Sequence, residues 1–190
     1  QAVSSRHNMP FAPFHQSDNT EIAVTFDDGY ADALSTIGPE LSKRGIPFHV
    51  FVTPEKLTSG DRRYLSTPEL RELATIPGAT IGAHGATHRS LTSLTIDEAE
   101  ADLRDSKQQL EYILQTPITT MSYPYGHVNG DVRAAAKRVG FTVAACSKWG
   151  VNNEHSDALL LNRLDMWAGD NSRTIQNKVL GYWNFLGRRT

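Results

Sequence analysis

The chain has 190 residues, 39% hydrophobic and 21% charged, which suits one globular domain with a sizeable core. A formal net charge of −2 offers no basic surface for nucleic acid, and no apolar run is long enough to cross a bilayer. Cys146 is the only cysteine, so an intrachain disulfide is excluded; it reads as a small buried hydrophobe rather than a catalytic thiol.

Residues 1–20 are polar and interrupted by Pro, and read as an irregular lead-in without the apolar stretch of a signal peptide. The absence of an initial Met points to a processed or trimmed chain. One domain, 21–190, follows, with no repeat or linker. It opens with an apolar run at 22–26 and a predicted helix at 31–44 that stops at Gly45. A second run, 48–53, precedes a helix at 67–74, with Thr67 as N-cap and Pro68 at its first helical position. The run 80–83 leads to a helix at 95–115, opened by the capping-box pair Thr95 and Glu98 and striped by Ala99, Leu103, Leu110 and Ile113. The run 119–123, a helix at 131–139 ending at Gly140, and the runs 141–145 and 159–164 come next. A helix at 172–186 closes the chain, with Ile175, Val179, Trp183 and Leu186 on one face. Strand–helix alternation predicts a parallel sheet, open or closed into a barrel, with its chemistry at the carboxyl ends of the strands.

Those ends carry unusual residues. The first run ends in Asp27-Asp28-Gly29-Tyr30. Two adjacent carboxylates repel unless a cation sits nearby, although Asp also caps helices. The third run ends in His84-Gly85-Ala86-Thr87-His88. Two histidines four apart face the same way if the segment is helical, while Gly82 and Gly85 allow close backbone approach. A carboxylate and two histidines leave open positions on Zn²⁺, Co²⁺, Ni²⁺ or Fe²⁺, the composition of a hydrolytic site. The other carboxylate would serve as base. The fourth run ends in Ser122-Tyr123-Pro124-Tyr125-Gly126-His127, a turn whose backbone N–H can face an oxyanion.

In order and spacing, residues 25–30, 84–88 and 122–126 resemble the first three motifs of the polysaccharide deacetylases, the NodB-homology domain of carbohydrate esterase family 4. The resemblance implies a single-domain distorted (β/α)7-type barrel, an α/β fold with an open side for a glycan. It implies Asp27 as catalytic base, Asp28, His84 and His88 as ligands to one divalent ion, most readily Zn²⁺, and the Tyr125 N–H at the oxyanion. It further implies an N-acetylated glycan or lipid-linked sugar as substrate. A cell-envelope, periplasmic or secreted setting goes with it, a cytoplasmic one staying open. Oligomeric state is not implied.

The chain departs from the commonest pattern in three places. Ser122 stands where an Arg usually precedes the Pro of the third motif, Ser147-Lys148-Trp149 replaces an Asp-x-x-Asp-Trp motif, and 161–165 lacks the usual Leu-His pair. The Tyr-Pro-Tyr-Gly form looks like the exopolysaccharide and lipopolysaccharide subgroup. Arg163 is therefore the expected substitute for the missing Arg, holding Asp27 ionised, against the plainer reading of a surface Arg. Candidates for the general acid are His7, His15, His49, His127 or a residue outside the chain. Tyr30, Tyr123, Pro124, Trp149 and Trp167 are the expected sugar-contacting residues, with core packing the alternative for the aromatics. Rival readings are deacylation of an O-acetyl ester or another small amide at the same site, a non-catalytic glycan-binding module, and a chance assembly of caps and surface histidines.

Overall fold

The computed structural model describes residues 21–180 and Tyr182. Its sheet has five parallel strands in consecutive order: β1 (Val24–Phe26), β2 (Phe48–Val52), β3 (Ala79–Ala83), β4 (Thr120–Ser122) and β5 (Val143–Ala145). The helices are α1 (Gly38–Lys43), α2 (Pro54–Leu57), α3 (Thr67–Leu73), α4 (Ile96–Leu114), α5 (Gly130–Val139) and α6 (Ser172–Val179). Parallel strands in unbroken order turn every crossover the same way, so helices gather on one face and the sheet curls around the other. The result is a five-stranded half-barrel.

Side chains alternate between two environments along each strand. Phe48, Val50 and Val52 of β2 and Met121 of β4 join Leu70, Leu103 and Leu110 in the core beneath the helices. His49 and Phe51 point into the curl, where the His49 ring stacks on Phe51 at 4.4 Å and its Nε2 lies 2.8 Å from Thr120 Oγ1. A Cβ on Gly82 would come within 2.6 Å of Phe51 and 2.7 Å of His49, so the glycine makes room for both rings. Burial pushes the His49 imidazole down to about 3, only partly opposed by the Asp27 charge.

Several elements differ from the sequence reading. The helix expected at 31–44 is a π-type turn, Ala33–Ile37, followed by α1. Pro39 lacks the N–H that a continuous α-ladder needs there. The N-cap of α3 is Ser66, not Thr67: the Glu69 carboxylate accepts from the Ser66 N–H and hydroxyl at 2.7 and 2.6 Å. Thr95 and Glu98 do form the capping box of α4. The strand expected at 159–164 shrinks to a single parallel bridge, Leu161 to Ala145. Beyond it the side chain of Asn152 takes both backbone bonds of Asn162, accepting from its N–H at 2.9 Å and donating to its carbonyl at 2.8 Å. One amide thus replaces a neighbouring strand. In α6, Ile175 is exposed and the helix docks through buried Lys178, whose ammonium reaches Asp170 and the Asp165 carbonyl. Trp183 and Leu186 lie outside the described residues. Cys146 is buried.

Candidate active site

Asp27 and Asp28 leave the end of β1, and neither caps a helix: the residue at the start of the following turn is Asp32. The chain here is pinned by pairing with a neighbouring loop, Leu65 N–H to the Gly29 carbonyl at 2.9 Å and Ala31 N–H to the Arg63 carbonyl at 2.8 Å. Asp28 adopts left-handed backbone, φ 73°, which turns its carboxylate away from that of Asp27. The two acids therefore face different partners.

The histidines converge by another route than helical spacing. Residues 84–88 form an irregular loop, with Gly85 at φ 70° and His88 at φ 56°. At the end of β3, His84 is 2% exposed, and its Nδ1 donates to the Ser122 carbonyl at 2.8 Å. A carbonyl only accepts, so Nδ1 keeps its proton, and it is Nε2, here donating toward Asp28, that would give up its proton to offer an ion a lone pair. Between the two histidines, Asp102 of α4 clamps the loop. Its carboxylate accepts from the Ala86 N–H at 2.8 Å, the Thr87 N–H at 3.2 Å and the Thr87 hydroxyl at 2.6 Å. A Cβ on Gly85 would meet that carboxylate at 3.0 Å.

Asp28 Oδ1 lies 3.4 Å from His84 Nε2 and 2.8 Å from His88 Nε2, and one ligand atom from each residue falls within 4.8 Å of the others. Bonds of about 2.0–2.2 Å would set tetrahedral ligand atoms roughly 3.3 Å apart. Two imidazoles and a carboxylate in this cluster thus fit a divalent ion with open coordination positions, and the carbonyl behind His84 supplies the support that ligating histidines require. Hydrogen bonds from His84 and His88 hold the Asp28 carboxyl well below the usual range.

Asp27 faces the other way, toward Arg163. The guanidinium forks onto its two oxygens at 2.8 Å each, and also reaches the Ser122 hydroxyl at 3.0 Å and the Cys146 carbonyl at 3.0 Å. Ser122 donates in turn to Asp27 at 3.1 Å. Burial alone would raise the Asp27 carboxyl. The Arg163 bonds, the His84 and Arg163 charges and the Ser122 hydroxyl outweigh it and hold the group low, hence ionised. Asp27 Oδ2 stands 4.0 Å from His84 Nε2, beside the ligand cluster.

A model of the polysaccharide deacetylase family matches residues 15–144, a span that takes in both carboxylates, both histidines and the Tyr125 turn. The chain belongs to the polysaccharide deacetylase family. YxkH of Bacillus subtilis, assigned to the polysaccharide deacetylases, is 26% identical over 148 residues, covering 78% of this chain and 52% of its own; the chain thus spans about half the length of that relative. The deacetylase PplD of Streptococcus pyogenes, solved with acetate, superposes with a TM-score of 0.79 at 20% identity over 87% of this chain and 73% of that one. IcaB of Ammonifex degensii gives 0.78 at 20% identity over 94% and 81%. At such identities these two structures show a shared fold. The matched family span ends before Arg163, whose place is given by the geometry above.

The remaining candidates of this deacetylase-family chain divide into those at the mouth and those behind it. Tyr125, φ 60°, holds its ring 4.8 Å from that of His88 and 5.9 Å from that of His127, whose Nδ1 meets Ser90 Oγ at 3.0 Å. Tyr30 stacks on Tyr64 at 4.9 Å; a hydrogen bond to Tyr64, burial and the nearby Asp28 charge push its phenol up to about 12. Tyr123 is not a sugar contact. It is 0% exposed, and its hydroxyl donates to the Leu159 carbonyl at 2.9 Å. Pro124 is likewise buried and packs beneath the histidine loop, 3.2 Å from where a Gly85 Cβ would lie. The burial of Tyr123 follows from strand alternation: Ser122 points into the curl, so Tyr123 points to the core. Trp149 is half-buried, donating to Asp165 at 3.1 Å beneath the Lys178 ammonium, whereas Trp167 is 65% exposed. His49 lies in the sealed curl, away from any proton-delivery role, and His7 and His15 fall outside the described residues. Sequence reasoning passed over Asp102. A signal was there: Asp102 stands three residues after Ala99, on the apolar stripe of α4, where a carboxylate needs partners.

Proposed function

We propose that the chain hydrolyses the acetamide of an N-acetylated sugar, in a polysaccharide or an exopolysaccharide or lipopolysaccharide precursor, releasing acetate and a free amino sugar. The observation that carries this reading is the meeting of Asp28, His84 and His88 beside a separately ionised Asp27. A divalent ion held by the three ligands, Zn²⁺ most readily and Co²⁺, Ni²⁺ or Fe²⁺ compatibly, would acidify a water and polarise the acyl carbonyl. Asp27 takes the water's proton. Arg163 makes it a weak base toward bulk water, so it acts only on an acidified one. Arg163 also aims the acceptor oxygens through its fork. The Tyr125 N–H, exposed by its left-handed turn, donates to the oxyanion as the carbonyl carbon becomes tetrahedral. His127 is the described histidine at the mouth outside the ligand set, and it returns a proton to the departing amine. Tyr30 and Tyr125 flank the ring that presents the acetamide, with Trp149 and Trp167 farther along the chain as platforms.

The test is acetate release from chitooligosaccharides, acetylated xylan and lipid-linked N-acetyl sugars, with Zn²⁺ added and after chelation. The reading expects release from an N-acetylated substrate, abolished by chelator and lowered about 10²–10⁴-fold in Asp27→Asn. Release from acetylated xylan alone would assign the site to esters. Zn²⁺ binding without turnover on any of the three would overturn hydrolysis.

A further inference from the structure

A cavity of about 370 Å³ opens beside the mouth, lined among others by Lys56, Asp61, Arg62, Tyr64 and Glu69. Tyr64 joins it to the active site, since its ring stacks at 4.9 Å on Tyr30, which follows Asp28 by two residues. Lys56 Nζ stands 4.7 Å from the Tyr64 centroid, and the Arg63 guanidinium 5.7 Å. The two carboxylates of the wall are already engaged. Asp61 is forked by Arg63 at 2.9 and 2.6 Å, and Glu69 is tied to Ser66 as the cap of α3. Lys56, half-buried, and Arg62, exposed, are left with no carboxylate in ion-pair range among the described residues.

Two cations with free valence in one concave wall form a recognition set for a ring that carries negative charge. The Tyr64 ring, covered by Tyr30 and by the Lys56 and Arg63 cations, forms the wall toward the active site, and Lys56 and Arg62 meet the charged substituent of the sugar. Since the stacked pair Tyr64 and Tyr30 lies between this cavity and the turn that carries Asp28, the group it receives belongs to the ring next to the reacting one. We propose that the cavity is a subsite for an anionic substituent, carboxylate or phosphate, on the sugar adjacent to the one deacetylated. The inference rests on the deacetylase reading only for what the neighbouring ring presents to the ligand cluster.

Binding tests it apart from turnover. Titration calorimetry on the Zn²⁺-loaded chain would compare chitotetraose, hyaluronan tetrasaccharide and chitotetraose 6-phosphate. The anionic probes should bind about tenfold more tightly than chitotetraose at low salt, with the preference shrinking as ionic strength rises. In the double variant Lys56→Gln, Arg62→Gln the preference should vanish, with thermal unfolding unchanged to show that the fold is intact. A stronger response to the uronate or to the phosphate probe identifies which substituent the cavity takes. Equal affinity for all three glycans, no binding of any, or a preference that survives the double substitution would overturn the subsite. Loss of acetate release with the preference intact would instead count against the deacetylase reading alone.

Discussion

The two halves of the active site are built on opposite principles. On one side the candidate ligands Asp28 and His84 follow the ends of ladder-bonded strands, β1 and β3, and the loop that carries His88 is locked by Asp102 from the helix layer. On the other, no ladder joins Leu161 to β1. The gap is spanned by the Arg163 side chain, which touches Thr25, Asp27 and Ser122. The first half positions atoms by backbone geometry. The second does so by charge-assisted hydrogen bonds between distant parts of the chain. Left-handed backbone at Asp28, His88 and Tyr125 belongs to the rigid half and the turn beside it, where packing can hold a strained conformation.

If that division holds, damage to the first half should remove the ion, and damage to the second should spare it. The largest effect is expected from His84→Ala, which deletes one of the three proposed ligands: Zn²⁺ affinity should fall by more than about 10³-fold with activity lost, as read by chelator competition. Retained tight binding would break the comparison at once. Arg163→Ala should leave Zn²⁺ affinity within a few-fold while cutting kcat by about 10²-fold. It should also cost about 1–3 kcal/mol in urea unfolding, less than a fully buried pair because Asp27 keeps 29% exposure. Arg163→Lys should recover little of the rate, since an ammonium cannot fork. Asp102→Ala should lower Zn²⁺ affinity about tenfold by freeing the loop between the ligands, with a smaller loss in turnover once the ion is saturating. An unchanged affinity would show that the loop holds its shape without the clamp.

A last effect leaves the ion untouched and concerns the floor of the curl. The folded state keeps His49 neutral down to about pH 3, whereas the unfolded chain takes up the proton near pH 6.5. Protonation therefore favours unfolding, and this one group should remove about 1.4 kcal/mol of stability for each pH unit below about 6.5. Denaturant unfolding of the natural chain and of His49→Asn between pH 4 and 7 should differ by that slope, and parallel curves would deny it.

What could be read in advance follows the same division. Asp27, Asp28, His84 and His88 announce themselves because each pair is local and sits where a strand ends. The conformation that joins them was not legible, because the four-residue spacing suggests a helix and the loop instead relies on left-handed Gly85 and His88. The parallel sheet was readable from the alternation of apolar runs and helices. The loss of the sixth was not, since it depends on Asn152 imitating a strand partner from ten residues away. Tyr123 was misread as a sugar contact although the inward-facing Ser122 beside it fixes the opposite direction. Arg163 was suggested by a missing cation, but its contact with Asp27 crosses 136 positions, which no local pattern encodes.

Because a side chain rather than a ladder crosses the gap in the barrel wall, the fold asks for a positive fork at one point in space and is indifferent to its address along the polypeptide. A cation arriving from either bank of the opening would serve the same acid. That join can be broken or remade at one side chain without unzipping any pair of strands.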